Sequence, residues 1–506
     1  MRRSHAAAIG ITSSALGVAA GHAVSSVTSP QASPVVAVGG AVIDRVPTWL
    51  KEFAVATFGT ADKAVLIGSV LLVLALFSAG IGVLVIHSRR LALVGVLVLG
   101  TLVSIAALVR PDTGAFALLP GVVTTAVAWF ALDVQLRWLT PRTSRRYGSE
   151  EPSTVDASTV ERRRFLTATG GTIVAAGLLA ALGKALTRTP AQPLVLPPNP
   201  TPSPPLPGSL EAKVVGITPL RTPTSDFYRI DTALVIPQLD PDEWLLTIDG
   251  LVGAPYTLTM AQLLEFPLVE RDITLTCVSN EIGGYLCGST RWRGVLVADL
   301  LRRAKPDAAA DMVLSRSMDG FTASTPLDVL LDGRDAMIAL AMDGEPLPPL
   351  HGAPARLLTP GLYGYVGATK WLTRLTVTRF EAEQAYWTRR GWSDHGPVKA
   401  ATRIDTPRGQ LPAGSVPIAG VAWATHKGVK AVQVSIDDGP WVDATLGTDV
   451  GVDYWRQWYL PWDATKGDHR IAARMIDGNS EVQTAAITGV LPDGPTGHHV
   501  IDVSVT

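Results

Sequence analysis

The sequence predicts three architectures in series: an N-terminal transmembrane α-helical bundle, an α+β domain, and a C-terminal all-β sandwich. Three observations lead there. Five long apolar runs fall within the first 186 residues, a proline-dense stretch follows them, and the remaining residues change from a mixed helix–strand pattern to short strands near residue 400.

The chain has 506 residues, enough for two or three domains, of which 47% are hydrophobic and only 17% charged. So low a charged fraction points to membrane spans. The net charge of -1, with no basic patch interleaved with aromatics, excludes a nucleic-acid partner. Two cysteines, Cys277 and Cys287, are too few for a zinc or iron–sulfur site.

Residues 6–27, 64–86, 91–109, 115–132 and 165–183 each approach the ~20 residues that cross a bilayer. Arg2 and Arg3 precede the first run, Arg89 and Arg90 separate the second from the third, and Arg137, Arg142, Arg145 and Arg146 follow the fourth. The positive-inside rule then puts the N-terminus and residues 137–164 in the cytoplasm, and the fifth span leaves the rest outside the cell membrane. Arg162-Arg163-Arg164-Phe165-Leu166 resembles an internal twin-arginine export signal; a plain positive anchor is the alternative. His22 and His87 should lie at opposite ends of their spans, so no shared haem is expected. The expected boundaries are 1–160 for the four-span membrane domain and 161–186 for the fifth span.

Nine prolines between residues 187 and 208 predict a semi-rigid spacer over 187–210. From 211 the elements are mixed. Trp244 to Ile248 reads as a strand closed by Asp249-Gly250, Thr259 caps a helix through Leu264, and Leu296 to Arg303 reads as an amphipathic helix. Further strands are expected at 311–315 and 336–341. Strand–helix alternation is irregular, which favours α+β for residues 211–400.

The chemistry centres on Thr274-Leu275-Thr276-Cys277-Val278-Ser279-Asn280-Glu281-Ile282-Gly283-Gly284. A strand here gives way to a glycine loop at Cys277, a placement suited to a metal ligand or nucleophile. A buried structural thiol, or a Cys277–Cys287 disulfide, would place it there equally well. Downstream, His351 and Arg356 bracket a Gly/Pro turn, and Lys370 follows the Pro360-Gly361 loop. Cations beside glycine loops suit an anionic ligand such as a phosphate.

Together these segments resemble the sulfite oxidase family of molybdopterin-dependent oxidoreductases. The resemblance covers residues 211–506 and rests on Phe227-Tyr228-Arg229, Cys277 with Asn280, His351-Gly352 with Pro354 and Arg356, Pro360-Gly361, and Lys370-Trp371-Leu372, in the family's order. It implies a molybdenum–molybdopterin cofactor (Moco), with Cys277 as metal ligand and Arg229 as its catalytic neighbour. Phe227, Arg229, Asn280, His351, Arg356 and Lys370 are then the cofactor-binding residues. A small-molecule substrate or an oxidised protein side chain is expected, with electrons passing to a separate cytochrome or quinone-linked protein. Two departures weaken sulfite itself: Glu281 and Ile282 stand where the family carries anion-binding arginines, and Phe321 stands for an active-site tyrosine. The rival class is a non-catalytic extracytoplasmic binding or adhesion protein on the same scaffold.

From residue 401 to 506, short strands alternate with turns: 416–423, 429–436 and 470–476, with hairpin signals at Lys427-Gly428 and Asp438-Gly439. About seven strands in ~100 residues fit a sandwich. Under the resemblance this is the immunoglobulin-like dimerisation domain, including a Trp-rich strand at Trp455 and Trp458, and a homodimer follows.

Overall fold

The computed structural model describes residues 2–47, 50, 53, 57–58, 62–110, 116–139, 157–186, 193–199 and 202–506. Arg142, Arg145 and Arg146, and Pro190 and Pro200 of the expected spacer, lie outside them. The chain divides into two compact units, Met1–Pro190 and Ala191–Thr506.

The first unit is helical. Among the described residues five helices are long and apolar enough to cross a membrane: Arg3–Thr28, Lys63–His87, Arg89–Leu108, Leu119–Leu139 and Arg162–Leu186. Small residues let them approach closely. A Cβ on Gly10 would stand 2.1 Å from the carbonyl oxygen of Ser78, and one on Gly17 2.4 Å from that of Thr124. Large apolar side chains such as Leu72, Leu76, Phe77 and Phe130 point outward. The fourth helix lies further along the chain than expected, starting near Pro120, where proline suits a first turn, and running past Asp133 to Leu139. Asp133 is tolerated there because Arg137 (2.6 Å) and Arg89 pair with it. A further helix, Pro34–Arg45, has only 12 residues, too short to cross a bilayer, and escaped the sequence reading.

The proline-rich stretch, expected as a semi-rigid spacer, is docked in its described part. Ser203 N–H donates to Glu270 at 2.9 Å, Arg293 donates to the Pro197 carbonyl at 2.7 Å, and Leu194 and Leu196 pack on the core of the second unit.

The second unit begins with two sheets, one mixed and one wholly antiparallel. Its strands are β1 (Leu245–Gly250), β2 (Tyr256–Thr259), β3 (Leu268–Thr276), β4 (Cys287–Leu296) and β5 (Met312–Ser317). They continue with β6 (Thr322–Pro326), β7 (Met337–Met342), β8 (Glu345–Pro346), β9 (Arg356–Leu358) and β10 (Leu372–Thr378). One sheet runs β2-β1-β10-β5-β6; the other runs β3-β4-β7-β8, with β9 also on β7. Strand β7 is buried at all six positions, as its unbroken apolar run dictates. Leu246 and Ile248 of β1, Leu375 of β10, Ile338 of β7 and Leu357 of β9 share one core with Leu300 and Leu301 of the helix Val297–Ala304. Thr259 caps the short helix Met260–Leu263 through a capping box with Gln262.

The remaining strands are β11 (Ala401–Thr406), β12 (Gln410–Leu411), β13 (Gly414–Trp423), β14 (Val429–Ile436) and β15 (Val442–Asp443). After them come β16 (Thr445–Leu446), β17 (Arg456–Ala464), β18 (Gly467–Asp477) and β19 (His499–Val505). Sheets β11-β13-β17-β16 and β12-β19-β18-β14-β15 face each other. Ile404, Ile418 and Trp458 of one interlock with Val432, Ile471, Met475 and Val503 of the other. Trp455 leaves this core. Its backbone N–H donates to Thr274 Oγ1 and its indole N–H to the Leu220 carbonyl, each at 2.7 Å, so it ties the sandwich to the end of β3.

Candidate functional site

Cys277 follows directly on β3, and the register Thr276↔Cys287 makes the intervening residues the loop of a hairpin. The loop closes on itself. Cys277 N–H donates to the Leu286 carbonyl (2.9 Å), Asn280 N–H to the Cys277 carbonyl (3.1 Å), and Asn280 Oδ1 accepts from Leu286 N–H (2.8 Å). The three-residue spacing of Cys277 and Asn280 therefore has a local cause: the turn returns Asn280 to bridge the loop's two sides. Gly283 (φ +75°) must be glycine, since a Cβ would fall 2.2 Å from His499 Nε2. Both cysteines are free. The disulfide alternative fails, and Cys287 instead packs beside Arg403, whose Nη1 lies 3.6 Å from its sulfur.

Cys277 opens on a cavity of about 140 Å³ that is also lined by Phe227, Tyr228, Arg356 and Lys370. Four of the seven site residues named from the sequence thus meet: Phe227, Cys277, Arg356 and Lys370. Arg229, Asn280 and His351 do not line it. Arg229 stands behind, 3.8 Å from Asp231, which does line it and which pairs with Lys370 Nζ at 3.2 Å. His351 packs edge-on against Phe227 (centroids 5.9 Å apart). Asn280, Glu281 and Ile282 line a separate small recess, so the Glu281 carboxylate is not presented to the Cys277 cavity.

Burial dominates the electrostatics. It pushes the Cys277 thiol up, against hydrogen bonds from Ser279 that lower it. It pulls the Arg356 guanidinium down to about 10. His351 is lowered to about 4, first by burial and then by the Arg356 and Lys370 charges, and is neutral at pH 7. Its Nε2 bonds the Thr224 carbonyl at 3.1 Å, so Nε2 carries the proton. Tyr228 is raised well above its ordinary value, first by burial and then by the neighbouring Cys277 sulfur.

This donor set fits the cofactor that the sequence motifs imply. Among the described residues, Arg356 Nε and His351 Nδ1 are buried without a hydrogen-bond partner; Arg356 donates through Nη1 to the His351 carbonyl (3.2 Å) and lies over the Trp292 ring, contacts that carry no counter-charge. A buried, uncompensated guanidinium is destabilising by several kcal/mol, and an anionic pterin phosphate entering the cavity would relieve it. A soft thiol on the same cavity suits molybdenum. Gly352 (φ +108°) brings backbone against Lys370, where a Cβ would lie 2.9 Å from Lys370 Cβ.

The sequence reading missed much of the wall: Tyr228 as a lining hydroxyl, Asp231, Asp319, Tyr365, Trp387 and Trp392. The aromatic density of Tyr386-Trp387 and Trp392 was the available signal.

Comparison with known proteins agrees with the geometry. The family model for the oxidoreductase molybdopterin binding domain matches residues 233–387. Uncharacterized oxidoreductase YuiH of Bacillus subtilis is 31% identical over 180 residues, 36% of this chain and 87% of that protein. Human mitochondrial sulfite oxidase is 27% identical over 308 residues, covering 51% of this chain and 56% of that protein. Barley (Hordeum vulgare) nitrate reductase [NAD(P)H] is 33% identical over 177 residues, 30% of this chain and 20% of the enzyme. The chain therefore spans about half the length of the sulfite oxidase it matches. Fold, site and relatives define a chain that carries an oxidoreductase molybdopterin binding domain. The chain belongs to the sulfite oxidase family.

Proposed function

We propose that this protein transfers an oxygen atom in a two-electron reaction at the outer face of the cytoplasmic membrane, with the first unit as multi-pass anchor. The observation that carries the reading is the Cys277 thiol on the same cavity as the buried, uncompensated Arg356. The five apolar helices support membrane attachment, and the flanking arginines support the outward orientation. In this reading Arg162-Arg163-Arg164 directs export of the second unit. Domain limits of 211–400 for the cofactor domain and 401–506 for an immunoglobulin-like dimerisation domain complete it.

When bound, the molybdenum cofactor supplies the oxygen-transfer centre. Cys277 would be the protein ligand to the metal, whose charge would favour the thiolate over the thiol that burial favours in its absence. Arg356 and Lys370 compensate the cofactor's negative charge. Neutral His351 orients Phe227 and lends Nδ1 as an acceptor. Arg229 acts from behind through Asp231, holding that carboxylate between two cations. Asn280 holds the loop in shape. Tyr228, kept protonated by burial, is the hydroxyl that holds and delivers a proton beside Cys277. Electrons pass one at a time to or from a separate cytochrome or quinone-linked protein, and the substrate is sulfite-like or sulfoxide-like.

The test is the molybdenum content of the purified, detergent-solubilised chain, beside that of Cys277→Ser. Near one metal per chain in the parent, with loss of at least tenfold in turnover for the variant, is expected. A metal-free parent from a host that makes the cofactor, or full activity in Cys277→Ser, refutes the reading.

A further inference from the structure

The helical unit gathers its arginines at one end. The helices Arg3–Thr28 and Arg162–Leu186 start there side by side, since His5 stacks on Phe165 at 4.2 Å. The helix Lys63–His87 finishes there: a Cβ on Gly82 would stand 2.1 Å from the Ala6 carbonyl oxygen. Leu119–Leu139 finishes there too, its Gln135 accepting from Thr12 Oγ1 at 3.3 Å and donating to Ser13 Oγ at 2.9 Å. Arg89, at the start of the remaining span, reaches Asp133 across the same end.

Packing therefore brings together Arg2 and Arg3, Arg89 and Arg90, Arg137, and the run Arg162 to Arg164, all of them exposed. Among the described side chains Asp133 is the single acid at this end, and it is taken by Arg89 and Arg137. Arg2, Arg3, Arg90 and Arg162 to Arg164 have no carboxylate partner among the described residues. Glu161 adds one carboxylate in the sequence, and the excess of positive charge stands. Like charges held side by side repel, which works against the packing of the first and fifth spans. The cluster's chemistry selects its counter-ion. Every one of these strong cations is a guanidinium and none is a lysine, and the planar fork of arginine matches phosphate oxygens two at a time. Apolar side chains stand directly beside the forks: Leu91, Trp138 and Leu166 are all exposed. A free anion has no use for them, whereas a phospholipid presents phosphate and hydrocarbon together at this depth. The opposite end is different: Arg110 pairs with Asp44 at 3.3 Å, and Arg45 donates to the Ala41 carbonyl of its own helix at 3.1 Å.

Resting on the membrane-anchor reading above, we infer that the arginine-bearing end of the helical unit is a binding surface for anionic phospholipids. The guanidinium groups take the headgroup phosphates, and Leu91, Trp138 and Leu166 take the adjoining hydrocarbon. The bound lipid offsets the repulsion between Arg3 and the Arg162 to Arg164 run, and so stabilises the packing of the first span against the fifth.

The experiment uses the full-length protein in neutral detergent, incubated with equal amounts of phosphatidylglycerol and phosphatidylcholine. After removal of free lipid, retained lipid is counted by mass spectrometry, and thermal unfolding is recorded with each lipid alone. The expected result is phosphatidylglycerol retained at least about fivefold over phosphatidylcholine, each arginine at an anionic surface being worth on the order of fivefold. Only phosphatidylglycerol should raise Tm, and salt should weaken the effect. Arg3→Gln combined with Arg90→Gln, which leaves the Arg162 to Arg164 run intact, should bring the enrichment below about twofold, with Tm in phosphatidylcholine reporting that the helices still pack. Arg45→Gln, at the other end, should leave the enrichment unchanged. Equal retention of the two lipids, full enrichment in the double variant, or an equal loss in Arg45→Gln overturns the inference while leaving the anchor intact. The same rise in Tm with inorganic phosphate also overturns it, because the site would then take a free anion. A chain recovered from cells in the soluble fraction without detergent overturns the anchor reading and this inference with it.

Discussion

Replacing Arg403 by alanine should weaken the second unit more than any single surface change. The Arg403 side chain is 2% exposed, and its partner Asp405 4%. Its Nε donates to Asp405 (2.7 Å), Nη1 to the Gly284 carbonyl (2.9 Å) and Nη2 to Thr218 Oγ1 (2.7 Å), while its plane lies 4.6 Å over the Tyr285 ring. Alanine would leave Asp405 buried with only the Thr218 N–H bond of 2.9 Å in compensation. Breaking one side of such a pair is destabilising by about 3–5 kcal/mol, which for a unit of this size lowers Tm by on the order of 10 °C. Because Gly284 belongs to the Cys277 loop, molybdenum content should fall as well. The assay is thermal unfolding of the detergent-solubilised chain followed by tryptophan fluorescence, with metal analysis on the same samples. A Tm within about 2 °C of the parent, against the expected drop, would show that the buried pair contributes little and that this account of the clamp is mistaken.

Other perturbations probe the cradle and its protonation. Gly352→Ala forces a side chain into a left-handed backbone position against Lys370; a loss of about 1–2 kcal/mol and a lower pterin content, read by fluorescence of the oxidised cofactor, are expected. His499 accepts from Ile404 N–H through Nδ1 at 2.9 Å and is lowered to about 4, by burial first and then by Arg408 and Arg403. Its folded value lies below its unfolded one, so its contribution is complete above pH 6.5 and is lost as the pH falls from there toward 4, by at most about 3 kcal/mol. Urea midpoints against pH should show that slope, and His499→Gln should flatten it. Tyr228→Phe should reduce kcat about 100-fold or more and alter its pH profile, with molybdenum retained.

What could be read from the sequence depended on how local its cause was. Cys277, Arg356 and Lys370 were legible because each sits at a strand or glycine-loop boundary whose punctuation is written nearby. Five helices long and apolar enough to cross a membrane were legible from length and hydropathy, whereas the fourth was misplaced because Asp133 looks like a terminus until its arginine partners are seen. The docked proline stretch and the role of Cys287 were not legible. Both depend on partners far along the chain, Glu270 and Arg293 for one and Arg403 for the other. The aromatic wall was missed for the same reason: Phe321, Tyr365 and Trp392 meet only after folding.

The clamp also explains why the sandwich belongs to the site although none of its strands lines the cavity. A hairpin loop with two glycines has no rigidity of its own. Asn280 fixes its width from within, but its outer face is held by β11 and β19, through Arg403 on Gly284 and His499 against Gly283. Trp455 secures the strand that delivers it, bonding Thr274 three residues before Cys277. A ligand that must hold a fixed geometry gains from such outer support. Truncating the chain before β11 should therefore remove metal retention even if the first two sheets still fold, because the strand would remain and the loop's outer wall would not.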